Sequence, residues 1–195
     1  MYYKSTTGYV IINQGAPIEK GASDTYNPPT TISKNIVQRY AIIDSRTCFE
    51  CIQKDNRLFI AGSQETKKCH PFCRCFCAPI HSVFAGLATK NGTAGADWWL
   101  KYNGTLPDYY ITKDELVALG WRQGDRPSKF APDKMLFMGV YENSDLRLPH
   151  SEDRIWYEAD INYTPGRRNS QRIVWSNDGL IFVTYNHYIT FYEIT

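Results

Sequence analysis

Cysteine is missing from the last 118 residues of this 195-residue chain; all six lie between Cys48 and Cys77. A disulfide-stapled secreted fold would spread its cysteines through the sequence, so the clustering argues for one local metal or disulfide device. No apolar run approaches the ~18 residues that span a bilayer, which excludes a helical membrane protein. The opening MYYKSTTGYVII lacks a cationic stretch, a long apolar region and a small-residue cleavage site, so no Sec-type export signal is expected. A strong charge of either sign is also missing. Residues 1–81 hold 10 Lys/Arg and 6 Asp/Glu (+4), and residues 82–195 hold 12 and 14 (−2). Any nucleic-acid contact in the second part must therefore rest on a local cationic cluster. There is no internal repeat or low-complexity tract. What is present is aromatic surface, with 14 Tyr and 5 Trp, enough for a real core and not a disordered composition.

Four regions follow from composition. Residues 1–34 read as an extended linker with at most a short strand at Tyr9–Asn13, and residues 35–80 as a Cys/His-rich module. Residues 81–96 read as a Gly/Thr-rich linker, and 97–195 as the main domain. In the latter, Asp97–Asn103 forms a helix stopped by Gly104. Thr112 and Glu115 form a capping box at the start of a second helix, which buries Leu116, Leu119 and Trp121 and ends at Gly120. Candidate strands then follow at Met135–Tyr141, Arg154–Ile161, Gln171–Trp175, Leu180–Tyr185 and Tyr188–Ile194. Tight turns are expected at Asn177-Asp178-Gly179 and Asn186-His187. Helices first and a meander after predict an α+β fold, with N-terminal helices packed on an antiparallel sheet and the small Cys/His-rich module in front.

The stretch from Trp156 to the end carries the most chemistry. Period-two alternation puts Trp156, Glu158 and Asp160 on one strand face. Arg172 begins the next strand, Arg168 precedes it, and His187 sits in the final turn. Singly, each is more often a solvated surface residue. Together they suit acid–base chemistry on a phosphate. If the ester is RNA, a carboxylate can take the 2′-hydroxyl proton and an imidazolium can supply one to the 5′-oxygen. Arginines can face the equatorial oxygens of the phosphorane.

In the cysteine-bearing stretch, Cys48-x-x-Cys51 is followed after 17 residues by Cys69-His70-x-x-Cys73-x-Cys75-x-Cys77. Two turn-like ligand pairs suit tetrahedral zinc. The favoured ligands are Cys48, Cys51, His70 and Cys73, with Cys75 as substitute; disulfides and plain buried thiols remain the alternatives.

From about Asp97 onward the chain resembles the barnase-like family of guanyl-preferring microbial ribonucleases. The matching motifs are LPDYYITKDELVALGW (106–121), FAPDK (130–134), YENSDLRLP (141–149), WYEADINYTPGRRNSQRI (156–173) and NHYITF (186–191). The resemblance implies Glu158 as catalytic base and His187 as catalytic acid. It also implies Arg168 and Arg172 as phosphate-binding groups, Lys113 as a stabilising cation and Tyr188 as a substrate contact. Asn143, Ser144 and Asp145 fall in the guanine-recognition loop, Asp145 being a shortened version of the family's glutamate. Departures lie there too. Glu142 and Ser144 stand where the family has serine and arginine, and Gly139 replaces an aspartate, so the loop has lost a cation and gained an acid. The implied reaction cleaves single-stranded RNA through a 2′,3′-cyclic phosphate without a catalytic cofactor. An inhibitor similar to the family's barstar, or an unrelated immunity protein, is an expected partner.

The cysteine stretch is also similar to a C-terminal motif of phage Mu F-type minor head proteins, through Asp44, Arg46, Cys48, Cys51, His70, Pro71, Cys73, Arg74 and Cys75. That resemblance implies a phage-borne polymorphic toxin. Phage capsid components become candidate partners. The expected location is cytoplasmic or virion-associated, with action in a target cell's cytoplasm or after non-classical secretion. Two rivals remain: an inactive head-associated structural protein, and a zinc-finger nucleic-acid binder using the +4 N-terminal part.

Overall fold

Nine strands share one sheet in the computed structural model, which describes residues 26–163 and 168–195. They are β1 (Thr31–Tyr40), β2 (Leu58–Ile60), β3 (Phe76–Val83), β4 (Tyr110–Thr112), β5 (Met135–Tyr141), β6 (Trp156–Asp160), β7 (Arg172–Ser176), β8 (Ile181–Thr184) and β9 (Tyr192–Ile194). Their order is β2-β1-β3-β9-β8-β7-β6-β5-β4. The helices are α1 (Phe49–Gln53), α2 (Ala96–Asn103) and α3 (Lys113–Ala118). The strand expected at Tyr9–Asn13 lies outside the described residues.

The sheet is mixed rather than purely antiparallel, and in the C-terminal region α2 leads, with the short strand β4 between it and α3. Strand β1 precedes every described helix, and the β3–β9 and β4–β5 pairs are parallel. Ser82 and Val83 of β3 stand in register with Glu193 and Ile194 of β9. The ladder is extended by Ala85 N–H to Thr195 O (2.9 Å) and Thr195 N–H to Val83 O (3.0 Å). Buried Glu193 also accepts hydrogen bonds from Ser33 Oγ and from Asn35 Nδ2. This junction inside the sheet is made by residues far apart in sequence, which local patterning does not reveal.

Alternation along the strands sorts two cores onto opposite faces. One joins Ala159, Ile161, Ile173, Ile181 and Val183 to Ala96 and Leu100 of α2. The other joins Trp156, Val174, Phe182 and Phe191 to Ile36, Leu58 and Ile80 of the first three strands and to Leu148. Glu158 shares the parity of this second face, as expected.

Local signals mostly hold. Helix α2 ends at Gly104 in the left-handed region (φ 72°). The Thr112–Glu115 capping box forms with both reciprocal bonds. Leu119 is a correction: it is 55 % exposed. The last turn of α3 closes with Gly120 N–H to Val117 O (2.8 Å) and Trp121 N–H to Leu116 O (3.2 Å). That pattern reverses the chain at left-handed Gly120 and folds Trp121 back onto Leu116, leaving Leu119 outside. Strand Tyr188–Ile194 is likewise shorter, starting at Tyr192. His187 and Tyr188 both have left-handed backbones (φ 55° and 65°), and Asn186 Oδ1 accepts from Thr190 N–H (2.9 Å). A loop of several residues thus replaces the two-residue turn.

Candidate active site

The site is built on β6 and β7 and on the loop leaving β8. Glu158 pairs in register with Val174 on one side and Gly139 on the other. Gly139 lies at a register shift and has φ 90°, a conformation that excludes most side chains. No side chain from position 139 therefore stands beside the Glu158 carboxylate. The Tyr188 hydroxyl donates to Glu158 Oε2. Its ring stacks on Tyr141 (5.3 Å between centroids, 21°) and meets His187 edge-on (4.8 Å). Burial, and then the hydrogen bond to Glu158, push the Tyr188 phenol well above its ordinary value. Tyr188 is therefore a neutral donor, touching Glu158 through its hydroxyl and His187 through its ring. His187 is exposed, and its backbone N–H is pinned to Ser170 O (3.0 Å).

The two arginines converge on a residue to which the sequence reading gave no role. Asp160 is fully buried; it accepts from Arg168 Nε (2.6 Å) and an Arg168 terminal nitrogen (2.7 Å), and pairs with Arg172 Nε (2.9 Å). Arg172 also donates to the Asn169 and Gln171 carbonyls, at 2.7 Å each. Burial opposes the charge on Arg168, but the bonds to Asp160 outweigh it and raise the guanidinium's pKa. One buried carboxylate thus anchors two guanidiniums side by side, concentrating fixed positive charge next to Glu158. The signal available in the sequence was Asp160 on the Glu158 face, two residues on.

Lys113 is exposed at the start of α3. Its neighbour Thr112 is in register with Phe137, and Phe137 with Ala159, beside Glu158. Two strand spacings of about 5 Å put the α3 start roughly 10 Å from β6.

In the loop 141–149, Asn143 is buried and has φ 44°. Its side chain closes the loop on Leu148, through Nδ2 to Leu148 O (3.1 Å) and Leu148 N–H to Oδ1 (3.0 Å). The side chain thus shapes the loop, while Ser144 and Asp145 are exposed at its tip. Asp145 Oδ1 accepts from Arg147 N–H at 3.2 Å.

A family model described as ribonuclease matches residues 96–195. The chain belongs to this ribonuclease family. A curated ribonuclease from Bacillus intermedius is 45 % identical over 116 residues, covering 59 % of this chain and 69 % of the relative. One from Bacillus pumilus gives the same figures. A ribonuclease from Heyndrickxia coagulans is 45 % identical over 100 residues, 51 % of this chain and 91 % of that one. The ribonuclease region contains every residue of the constellation around Glu158 and Asp160.

The second cluster lies ahead of that region. Cys48, Cys51 and His70 form one trio of donor atoms within 4.8 Å of each other, and Cys51, Cys73 and Cys75 another. Cys51 Sγ is 3.4 Å from Cys73 Sγ and 4.0 Å from His70 Nε2. Tetrahedral zinc with bonds of about 2.3 Å to sulfur would separate its ligand atoms by roughly 3.5–4 Å, so the donor set fits a zinc ion. Cys69 and Cys77 belong to neither trio. The former accepts from Arg39 (3.0 Å), and the latter donates to Thr66 O (3.7 Å).

Among the described residues, no helix is long and apolar enough to cross a membrane.

Proposed function

We propose that this ribonuclease is an endoribonuclease cleaving single-stranded RNA 3′ of guanine by metal-independent acid–base transesterification. Glu158 takes the proton of the 2′-hydroxyl, whose oxygen attacks the adjacent phosphorus. His187, protonated, gives its proton to the departing 5′-oxygen, leaving a 2′,3′-cyclic phosphate. Water then opens the ring with the two roles exchanged. Arg168 and Arg172 face the negative oxygens of the phosphorane, Lys113 adds positive charge, and Tyr188 contacts substrate. The observation that carries this reading is the pairing of Glu158 with Tyr188 beside two arginines held on one buried aspartate. For base preference, the exposed Asp145 carboxylate can accept from guanine N1–H and N2–H, with Asn143 holding the loop's shape and Ser144 beside it at the tip.

The test is cleavage-site mapping on a defined RNA in chelator, with the protein's zinc content followed in parallel. Cuts 3′ of guanine that vanish in Glu158→Ala and His187→Ala support the reading. An inert wild type, or retained binding without cleavage, favours the head-associated or zinc-finger alternative.

We further infer a structural zinc held by four of Cys48, Cys51, His70, Cys73 and Cys75. The ion would crosslink two turns distant in sequence and stabilise that local fold. The similarity of this stretch to phage minor head proteins supports a role as a toxin module with a dedicated immunity protein, and capsid components as partners. Co-expression tests the toxin role: an intact chain tolerated without an inhibitor would remove it.

A further inference from the structure

The Cys/His-rich segment and the ribonuclease site meet at one side chain. Arg147, in the loop that carries Asn143 and Asp145, donates from Nε to Asn56 O (3.0 Å) and from a terminal nitrogen to Ile189 O (3.0 Å). Its own carbonyl accepts from Leu58 N–H (2.7 Å). Asn56 and Leu58 lie at the turn into β2, whereas Ile189 follows His187 and Tyr188 directly. One guanidinium therefore ties together the recognition loop, the loop bearing His187 and Tyr188, and the N-terminal segment.

The N-terminal anchor is firm. Asn56 N–H donates to Arg39 O (2.8 Å), and Arg39 N–H to Arg57 O (3.0 Å). The Arg39 side chain, 1 % exposed, is itself bound to the Glu65 and Lys67 carbonyls (2.8 and 2.9 Å). Beneath the loop, Leu58 and Ile36 pack in the same core as Leu148, Trp156 and Phe191. By contrast, both loops carry left-handed non-glycine residues (Asn143, Leu146, His187 and Tyr188). Such conformations persist only when surrounding contacts over-determine them.

We propose that Arg147 is a positioning residue for the reaction, through which the N-terminal segment sets the recognition loop and the His187 loop relative to each other. The proposal rests on the ribonuclease reading. Its chemistry is two carbonyl acceptors on two different loops, matched to one planar donor fork. Displacing reacting groups by about 1 Å is enough to lower a rate by a large factor, so loss of the fork is felt at the site even though Arg147 touches none of the reacting atoms.

Kinetics of the full chain on guanylyl and adenylyl dinucleotides test this, with wild-type cleavage as the separate check on the ribonuclease reading itself. Arg147→Ala is expected to lower kcat/KM by roughly tenfold and to narrow the guanine-over-adenine ratio, with Tm nearly unchanged. Arg147→Lys, with a single point donor, should recover part of the loss. Asn56→Val strains a backbone at φ 60° and displaces the acceptor carbonyl. Its effect and that of Arg147→Ala should be strongly non-additive. The defect must also persist in about 1 M salt, where simple attraction of phosphate is screened. Unchanged kinetics in Arg147→Ala, additive double-variant effects, a defect that disappears in high salt, or a loss fully explained by unfolding each overturns the proposal.

Discussion

The Tyr188 hydroxyl donates to the Glu158 carboxylate, joining the loop after β8 to the middle of β6. A hydrogen bond to a charged group contributes about 1.5–3 kcal/mol. Tyr188→Phe should therefore lower kcat/KM on a dinucleotide by at least about tenfold while leaving the fold intact. Steady-state kinetics with a thermal melt would check this, and wild-type activity in the variant would mean that the bond has no part in catalysis.

Replacing Glu158 by Gln or His187 by Ala removes a proposed proton carrier. General acid–base catalysis supplies typically 10²–10⁴-fold, so each variant should fall by about that factor with an unchanged Tm. In the wild type, kcat/KM against pH should be bell-shaped, and its two apparent pKa values belong to the pair jointly. Each variant should lose one limb.

Asp160 is the fully buried partner of two arginines, one 7 % and one 24 % exposed at the side chain. Asp160→Ala leaves both guanidiniums uncompensated, a change that costs about 3 kcal/mol or more. For a chain of this size that amounts to roughly 6–12 °C in Tm, alongside a loss of activity as the two arginines lose their anchor. A variant with wild-type Tm would show that the arginines do not depend on this carboxylate.

Arg154 grips Asp178 through three contacts of 2.7–3.0 Å. That bond holds the carboxyl below its ordinary 3.8, against the opposing effect of burial, with Ser176 helping. The folded pKa is thus lower than the unfolded one. The resulting stabilisation is fully present above about pH 4 and is lost as the pH falls through the depressed value. Urea unfolding between pH 2 and 6 should show an acid limb that flattens in Asp178→Asn.

Zinc removal gives the remaining test. Metal analysis of the reduced protein should find one zinc per chain, and Cys51→Ser, which belongs to both donor trios, should lose it and melt at lower temperature. Metal-free protein with the same Tm would eliminate a structural ion.

Residues whose structure depends on near neighbours were legible in the sequence. The Thr112–Glu115 cap, the stop at Gly104, the strand Met135–Tyr141 and the common face of Trp156 and Glu158 all follow from spacing, because turn chemistry and period-two alternation act within a few residues. Tertiary structure decided the rest. Leu119 faces solvent because the reversal at Gly120 returns Trp121 to the core in its place. Asp160 acquires its meaning only when Arg168 and Arg172 arrive from the next strand and its approach. Joining β3 to β9 and placing Arg147 between Asn56 and Ile189 bring together segments 42 to more than 100 residues apart. No local propensity encodes such contacts: they form once apolar faces from both ends of the chain bury against each other and repay the entropy of closing the loops between them.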